Sequence, residues 1–322
     1  MTESHASADR VAVLERHRGR LFGIAYRMLG SAEDAEDAVQ ETYLRWHASA
    51  PERVLSAEAW LVAVVTRISI DRLRRAATER AMYEGSWLPE PIATTPSLSP
   101  DRSAELASDL SMAFLVLLER LAPEERAAFL LREVFDASYA EIASALEKTE
   151  AASRQIVHRA RERVQRETPR VAVPPDAKER LVGRFVTALA AEDKATLISL
   201  FSDEVVWVSD GGGKAPAVRA VVHGAERVAQ LAAGFQRMGR GLVTHRIASI
   251  NGEPAVLTLA DELTLFTTSF ATDGDRITAV YRVLNPDKLH RVGPPPLLSK
   301  WAPDALAAIR NIRQSTTGAD GA

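Results

Sequence analysis

Two proline-containing breaks divide this sequence into stretches that cannot belong to one continuous helix. The first break, between residues 84 and 100, also contains Ser and Thr and has four prolines: Pro89, Pro91, Pro96 and Pro100. The second break runs from Thr168 to Pro175. Proline lacks a backbone N–H and its ring clashes with the preceding turn, so helix interiors exclude it. We therefore expect a linker at each break.

The hydrophobic pattern changes at the second break. Before it, apolar residues recur at helical spacing, whereas after it two helical stretches lead into β-rich runs. Asn251-Gly252 and Asp273-Gly274 lie between such runs and are typical of tight hairpins, because these residue types tolerate positive φ. The sequence thus predicts an all-α half followed by an α+β domain with three or four antiparallel strands.

These patterns define the expected domains. Helical domains are predicted at 10–80 and 104–166, and the α+β domain at 177–290. Linkers at 81–103 and 167–176 join them, and a tail at 291–322 contains one short predicted helix, from Pro303 to Gln314.

Composition excludes several kinds of site. The 322 residues carry a net charge of −3, so nucleic-acid affinity has to come from local basic patches. The absence of cysteine excludes disulfides, thiolate zinc sites and a cysteine nucleophile. Histidine-carboxylate metal sites stay open, but we expect no metal and no cofactor. No apolar run is long enough for a membrane span, so we expect a cytoplasmic protein with no membrane partner.

A helix-turn-helix pattern occupies residues 138–166. Ser138 and Glu141 form a capping box at the start of a short amphipathic helix, and a second helix is predicted from Glu150 to Arg166. The turn sequence Ala-Leu-Glu-Lys-Thr has no glycine, which predicts strain or a different turn. The alternative is an amphipathic helix with a solvated basic face.

In a helix-turn-helix the early residues of the second helix enter the major groove. The side chains expected to reach base edges are Ser153, Arg154, Gln155 and His158. Arg159 and Arg161 lie farther along the helix and are expected to hold phosphates.

The order of these motifs resembles that of extracytoplasmic-function (ECF) RNA polymerase sigma factors. The run from Ala35 to Trp46, AEDAVQETYLRW, looks like the helix of sigma region 2 that docks on core polymerase. The resemblance implies binding to the beta-prime clamp and the beta flap, with the region 2 contacts made by Asp34, Asp37, Gln40 and Glu41. Without the resemblance, those residues would pass for an ordinary acidic surface.

The next helix resembles the one that faces the promoter's minus-ten element. It contains Ala59-Trp60-Leu61 and the run from Thr66 to Arg75. Arginines on it can neutralise phosphates while apolar residues face inward. The implied DNA-binding residues are Arg67, Asp71, Arg72, Arg74 and Arg75, and a solvated basic face is again the alternative.

Three further segments resemble the sigma subgroup that carries a C-terminal SnoaL-like domain, a cone with a curved antiparallel sheet. They are Trp87-Leu88-Pro89-Glu90-Pro91, Asp210-Gly211-Gly212-Gly213-Lys214 and Asn285-Pro286-Asp287-Lys288-Leu289. The resemblance implies that the fused domain regulates in cis, so that no separate anti-sigma factor is expected. We expect Trp87 to anchor the linker near the other two segments; alternatively, the linker is only a spacer.

Two rival functions stay open from the sequence. The cone shares its fold with small enzymes, and the residues that could move protons are Asp210, His245, Asp261 and Glu262. No motif unites them, so we expect no catalysis, although a metabolite-binding cone remains an alternative. The second rival function is that of a stand-alone helix-turn-helix regulator. The favoured reading is a sigma factor that directs core polymerase to promoters, controlled by its fused domain.

Overall fold

The computed structural model describes residues 2–49, 54, 56–94, 110–167 and 173–293. These residues fall into two compact units. The first contains 2–82, 110 and 114–167; the second contains 83–94, 111–113 and 173–293. The predicted helix at 303–314, most of the tail and parts of both linkers lie outside the described residues.

Helices build the first unit. In chain order they are α1 (Thr2–Leu29), α2 (Ala32–Ala48), α3 (Ala57–Ala81), α4 (Met112–Leu118, which begins in the second unit), α5 (Pro123–Glu133), α6 (Tyr139–Leu146) and α7 (Glu150–Glu167). Ser31 and Ser56 cap α2 and α3, each accepting a hydrogen bond from a backbone N–H three residues later. The apolar faces of α1, α2 and α3 pack together, with Trp46 against Trp60 at 5.2 Å between ring centroids.

The helix-turn-helix is formed by α6 and α7. Ser138 and Glu141 make both hydrogen bonds of the predicted capping box. Glu147 ends α6 in the left-handed conformation with φ of 55°, so a non-glycine residue occupies the conformation that glycine adopts at low cost. The strain expected from a glycine-free turn is therefore located at Glu147.

The second unit is an α+β fold. Its helices are α8 (Pro175–Ala190), α9 (Lys194–Leu200) and α10 (Ala225–Gly239). Its strands are β1 (Phe201–Asp210), β2 (Val222–His223), β3 (Thr244–Ile250), β4 (Glu253–Ala260), β5 (Leu263–Thr272) and β6 (Ile277–Val283). They form one sheet in the order β2-β1-β6-β5-β4-β3.

The sheet differs from the sequence prediction in two respects: the described residues form six strands rather than three or four, and one pairing is not antiparallel. β1 and β6 run parallel, with Trp207 opposite Val280 and Asp210 opposite Val283, whereas the other strand pairs are antiparallel. The predicted hairpins account for local pairings only. One edge of β1 pairs with β2, and its other edge pairs with β6, the last strand in the sequence, which runs parallel to it.

Three tight turns connect β3 through β6. Asn251-Gly252 and Asp273-Gly274 make the two predicted turns. The third, Asp261-Glu262, joins β4 to β5 with φ values of 46° and 64° and was not predicted. Two acidic residues thus adopt positive φ where asparagine and glycine are usual.

One face of the sheet packs against the helices. Phe185 of α8 meets Phe201 and Phe270 edge to face, with centroid distances of 6.2 and 5.0 Å. Trp207 is fully buried and stacks on Phe235 of α10. This aromatic layer fixes β1, β5, β6 and the helices as one core.

Residues 83–94, expected to act as a linker, are part of this second unit. Ala93 forms an antiparallel bridge with Ile250 at the end of β3. The Thr94 N–H donates to the Ser249 carbonyl at 2.9 Å, and the Asn251 N–H donates to the Ile92 carbonyl at 2.8 Å. The segment is therefore held by backbone hydrogen bonds rather than merely spanning a gap. Within the described part of the chain, no helix is long and apolar enough to cross a bilayer.

Candidate nucleic-acid interface and linker site

The exposed face of α7 presents most of the predicted DNA-contacting side chains. Gln155, His158 and Arg159 are exposed, and Arg154 stacks over the Tyr139 ring at 4.8 Å while pairing with Glu150 at 2.8 Å. Beneath this face, apolar residues of α7 are buried against the neighbouring helices. The helix thus offers polar and cationic groups in the arrangement that a major groove accepts.

Two predicted residues of α7 are placed differently from the rest. Ser153 is fully buried and its hydroxyl donates to the Thr149 carbonyl at 3.1 Å, so the expectation that it reaches a base edge is not met here. Its small size suits the inner stripe beside Ile156, which is why it faces inward. Arg161 remains at the surface and pairs with Glu133 at 2.5 Å.

Arg67 of α3 is engaged by the helix-turn-helix. Its guanidinium donates to the carbonyls of Ala145 at 3.0 Å and Ser144 at 2.5 Å, and it pairs with Glu147 at 3.1 Å. These groups lie at the C-terminal end of α6, where free carbonyls and the helix dipole favour a cation. Arg67 therefore joins the two predicted DNA-binding domains.

The other arginines of α3 have varied environments. Arg74 pairs with Glu124 of α5 at 2.8 Å and with Asp71 at 3.4 Å. Arg75 is exposed. The C-terminal half of α3 is therefore partly occupied by contacts to the second helical domain.

Arg72 faces the acidic side of α2. Its guanidinium lies 3.3 Å from Glu41, 3.7 Å from Asp37 and 3.9 Å from Asp34, while Gln40 is exposed beside them. Residues predicted to bind DNA and residues predicted to bind polymerase are thus neighbours. Glu41 also pairs with Arg45 at 2.7 Å, so two cations face three carboxylates and the group keeps a net negative charge.

In the second unit, the Asp210 carboxylate is fully buried and accepts four hydrogen bonds. Tyr83 donates its hydroxyl at 2.6 Å and Leu88 its backbone N–H at 2.9 Å. Gly212 donates its N–H at 3.1 Å, and Lys288 donates its ammonium at 2.7 Å. Asp210 therefore links the linker segment to its own loop and to the segment after β6.

Lys288 is the cation that compensates Asp210. Its ammonium also donates to the Leu88 carbonyl at 2.6 Å and lies 4.1 Å from the centroid of the Trp87 ring. A buried ion pair needs additional hydrogen bonds to offset its desolvation, and the linker backbone supplies them. Trp87 contributes an aromatic face to the same cation.

The three segments singled out from the sequence meet at this point, which we call the linker site. The Asn285 amide donates to the Tyr83 hydroxyl at 2.9 Å, and Lys214 pairs with Asp287. Glu90 lies 3.8 Å from Arg291. Four further members of the predicted set are buried: Pro89, Pro91, Pro286 and Leu289.

The glycine loop is shaped by close neighbours. A Cβ on Gly212 would overlap the side-chain amide of Asn285, and one on Gly213 would overlap the carboxylate of Glu84. Gly211 lies against the Ala215 carbonyl in the same way. Gly212 and Gly213 also have positive φ, which favours glycine at both positions. At Gly213 the overlapping atom is the end of the flexible Glu84 side chain, so conformation matters more than space there.

Tyr83 belongs to the site although no sequence motif indicated it. Burial, and then its hydrogen bond to Asp210, raise the pKa of the Tyr83 hydroxyl well above its usual range. The phenol therefore stays protonated and remains a donor. In the sequence, the only indication of its role is that Tyr83 is an aromatic residue four positions before Trp87.

The groups considered for proton transfer are dispersed. Asp210 is committed to the linker site, whereas Asp261 and Glu262 are exposed in the turn between β4 and β5. His245 contacts Thr258 at 3.0 Å and Gln236 at 2.7 Å. Burial, with a smaller effect of Arg282, lowers its pKa. These residues do not form one catalytic constellation.

The close approach at Gly212 gives a test of the linker site. Gly212→Ala should release residues 83–94, because its methyl group displaces Asn285 from Tyr83. Gly241→Ala is the matched control, since Gly241 also has positive φ but no atom within 4 Å of the added Cβ. By hydrogen exchange, we expect protection of the linker amides to fall about tenfold for Gly212→Ala, roughly 1.4 kcal/mol. Equal protection in both variants would contradict this assignment.

The geometry agrees with the comparisons to known proteins. The model of sigma-70 region 2 matches residues 13–79, and that of sigma-70 region 4 matches residues 111–164. The ECF RNA polymerase sigma factor SigJ of Mycobacterium tuberculosis is 38% identical over 294 residues, 86% of this chain and 92% of the relative. A probable ECF sigma factor from the same organism, SigI, is 29% identical and covers 86% of this chain and 94% of its own length.

A solved structure is similar over most of the chain. The crystal structure of M. tuberculosis SigJ superposes with a TM-score of 0.72 and 34% identity, covering 88% of this chain and 99% of that one. The two helical domains and the SnoaL-like α+β domain are thus parts of one known architecture. This chain belongs to the family of ECF RNA polymerase sigma factors, which are not enzymes but initiation factors that direct core RNA polymerase to promoters.

Proposed function

We propose that the SnoaL-like domain controls the sigma activity in cis by holding the linker between the two DNA-binding domains. The observation that carries this proposal is the buried Asp210 carboxylate, which binds Tyr83 and Leu88 of that linker. A regulator that occupies the linker restricts the distance between the domains on either side of it. No separate anti-sigma factor is needed for such control.

The strength of this hold follows from burial. Removing one partner of a buried ion pair typically costs about 3–5 kcal/mol, because the other charge is left uncompensated. Asp210 and Lys288 form such a pair, and both contact Leu88. Because the linker is covalently attached, its effective concentration at the site is high. We therefore expect the linker to leave the site infrequently, so that anything that weakens these contacts would regulate its release.

Contacts in the helical unit support a closed resting arrangement. Arg67 and Arg74, which we propose contact the minus-ten element together with Asp71, Arg72 and Arg75, are bound by groups of α5 and α6. DNA phosphates would have to replace those partners. We infer that the two helical domains separate before α3 engages a promoter, and that a linker free of the fused domain permits this separation.

The proposed minus-thirty-five contacts are more accessible. Arg154, Gln155, His158, Arg159 and Arg161 lie on the exposed side of α7, and Gln155 and Arg159 are exposed. We propose that Gln155 reads a base edge and Arg159 a phosphate. Asp34, Asp37, Gln40 and Glu41 are the proposed contacts to the polymerase clamp, because they form an acidic exposed face on α2.

Regulation by the linker is tested by run-off transcription with bacterial core polymerase. Asp210→Asn leaves Lys288 without its counter-ion and should release the linker, raising transcript yield several-fold. Asp203→Asn is the matched control, because that carboxylate is 96% exposed and its pair with Arg276 is a surface contact of little energy. Faster hydrogen exchange in residues 83–94 without a change in transcription would refute control through the linker.

Promoter contacts are tested by salt dependence. Arg159→Ala should weaken promoter binding of the holoenzyme, and the slope of log affinity against log salt should become less steep by about 0.9 for a lost phosphate contact. Gln155→Ala should instead relax preference at one base pair, by about 1–3 kcal/mol. Arg180→Ala, an exposed arginine of α8, is the control and should change neither. An unaltered slope for Arg159→Ala would remove that residue from the interface.

A further inference from the structure

Arg282 of β6 is a buried cation inside the fused domain. It is 3% exposed, and its guanidinium carbon lies 4.3–4.6 Å from the ring centroids of Trp207, Phe235 and Phe266. Its Nε donates to the Thr268 hydroxyl at 3.3 Å, but its Nη1 atom is buried without a hydrogen-bond partner. Buried arginines are usually paired, so this one requires an explanation.

No counter-ion for Arg282 is found in the described part of the chain. Arg72 pairs with Glu41 and the buried Arg126 pairs with Glu119, whereas Arg282 forms no such ion pair with a described residue. Burial lowers the pKa of Arg282 to about 9, which still leaves it protonated at neutral pH. The neighbouring His245 has its pKa lowered as well, and both ring nitrogens are engaged by Thr258 and Gln236. Arg282 therefore contributes a positive charge for which the described residues show no counter-ion.

Burial around Arg282 is graded. Trp207, Thr258 and Thr268 are fully buried, whereas the side chains toward the end of α10 and the start of β3 and β5 are only half-buried. Those half-buried side chains are Phe235, Gln236, His245 and Phe266. The guanidinium thus lies between α10 and the sheet, and the half-buried aromatic and polar side chains lie on its less buried side; we call this place the recess.

We propose that this recess binds a small organic monocarboxylate with an aromatic or apolar body. Its carboxylate would accept from Nη1 of Arg282, and its body would lie among Trp207, Phe235 and Phe266. A carboxylate neutralises the single charge and makes a charge-assisted hydrogen bond, which is stronger than a neutral one. The rings that surround the guanidinium also favour an apolar ligand over a strongly hydrated inorganic anion.

This binding is separate from the proposed control through the linker. Ser209 and Arg282 are paired on the helix-facing side of β1 and β6, whereas Asp210 is paired with Val283 on the other side. The recess and the linker site therefore occupy opposite faces of the same two strands. Binding can be measured without polymerase or promoter, so failure of this inference leaves the sigma mechanism untouched.

Isothermal titration of the full chain with benzoate, phenylacetate and hexanoate tests the proposal. We expect at least one of these carboxylates to bind and its neutral amide to bind at least tenfold more weakly. Arg282→Met should lose at least tenfold in affinity. Arg276→Met, at an exposed arginine just before β6, is the matched control and should bind like the unaltered protein.

A measurement on the unaltered protein covers the case in which Arg282→Met does not fold. Side-chain 15N signals of Arg282 should shift when the bound carboxylate is added, and those of Arg276 should not. The proposal is overturned if none of the three carboxylates binds, if the amides bind equally well, or if inorganic phosphate binds and the carboxylates do not. It is also overturned if folded Arg282→Met keeps its affinity.

Discussion

The second unit depends on the ion pair between Asp210 and Lys288. A carboxylate with no solvent exposure is stable only when its oxygens are hydrogen-bonded and its charge is compensated. Two of its four donors, Tyr83 and the Leu88 N–H, come from the segment that precedes the second helical domain. The fused domain therefore satisfies its own buried charge with residues more than a hundred positions earlier in the chain. This explains why residues 83–94 belong to the second unit.

The arginines of α3 and α7 differ in how far other groups of the protein already bind them. Those of α3 are largely satisfied within the protein: Arg67 by the C-terminal end of α6, Arg72 by the acids of α2 and Arg74 by Glu124. On α7, Arg159 is exposed and Arg154 is held by Tyr139 in an exposed position. Arg161 of α7 pairs with Glu133, and Arg75 of α3 is exposed, so the difference between the two helices is one of degree: the arginines of α3 have more partners outside their own helix.

The sequence was informative wherever local chemistry decides structure. The cap at Ser138, the proline breaks and the turns at Asn251 and Asp273 follow from residues that act on their own neighbourhood. It was uninformative where partners are distant. Nothing near Tyr83 indicates Asp210, and the parallel pairing joins β1 to β6 across four intervening β-strands and a helix that separate them in the sequence. Ser153 faced inward because a small side chain fits a packed helix stripe, a choice made by packing rather than by the motif.

Strand alternation accounts for the coexistence of two unlike charged sites on β1 and β6. Adjacent residues of a strand point to opposite faces, so Ser209 and Arg282 lie on one side and Asp210 and Val283 on the other. On the linker face the buried charge is compensated by Lys288. On the helix face Arg282 is surrounded by rings, which lessen but do not replace a counter-charge. A SnoaL-like sheet can therefore bind the linker with one surface and still have an uncompensated cation on the other.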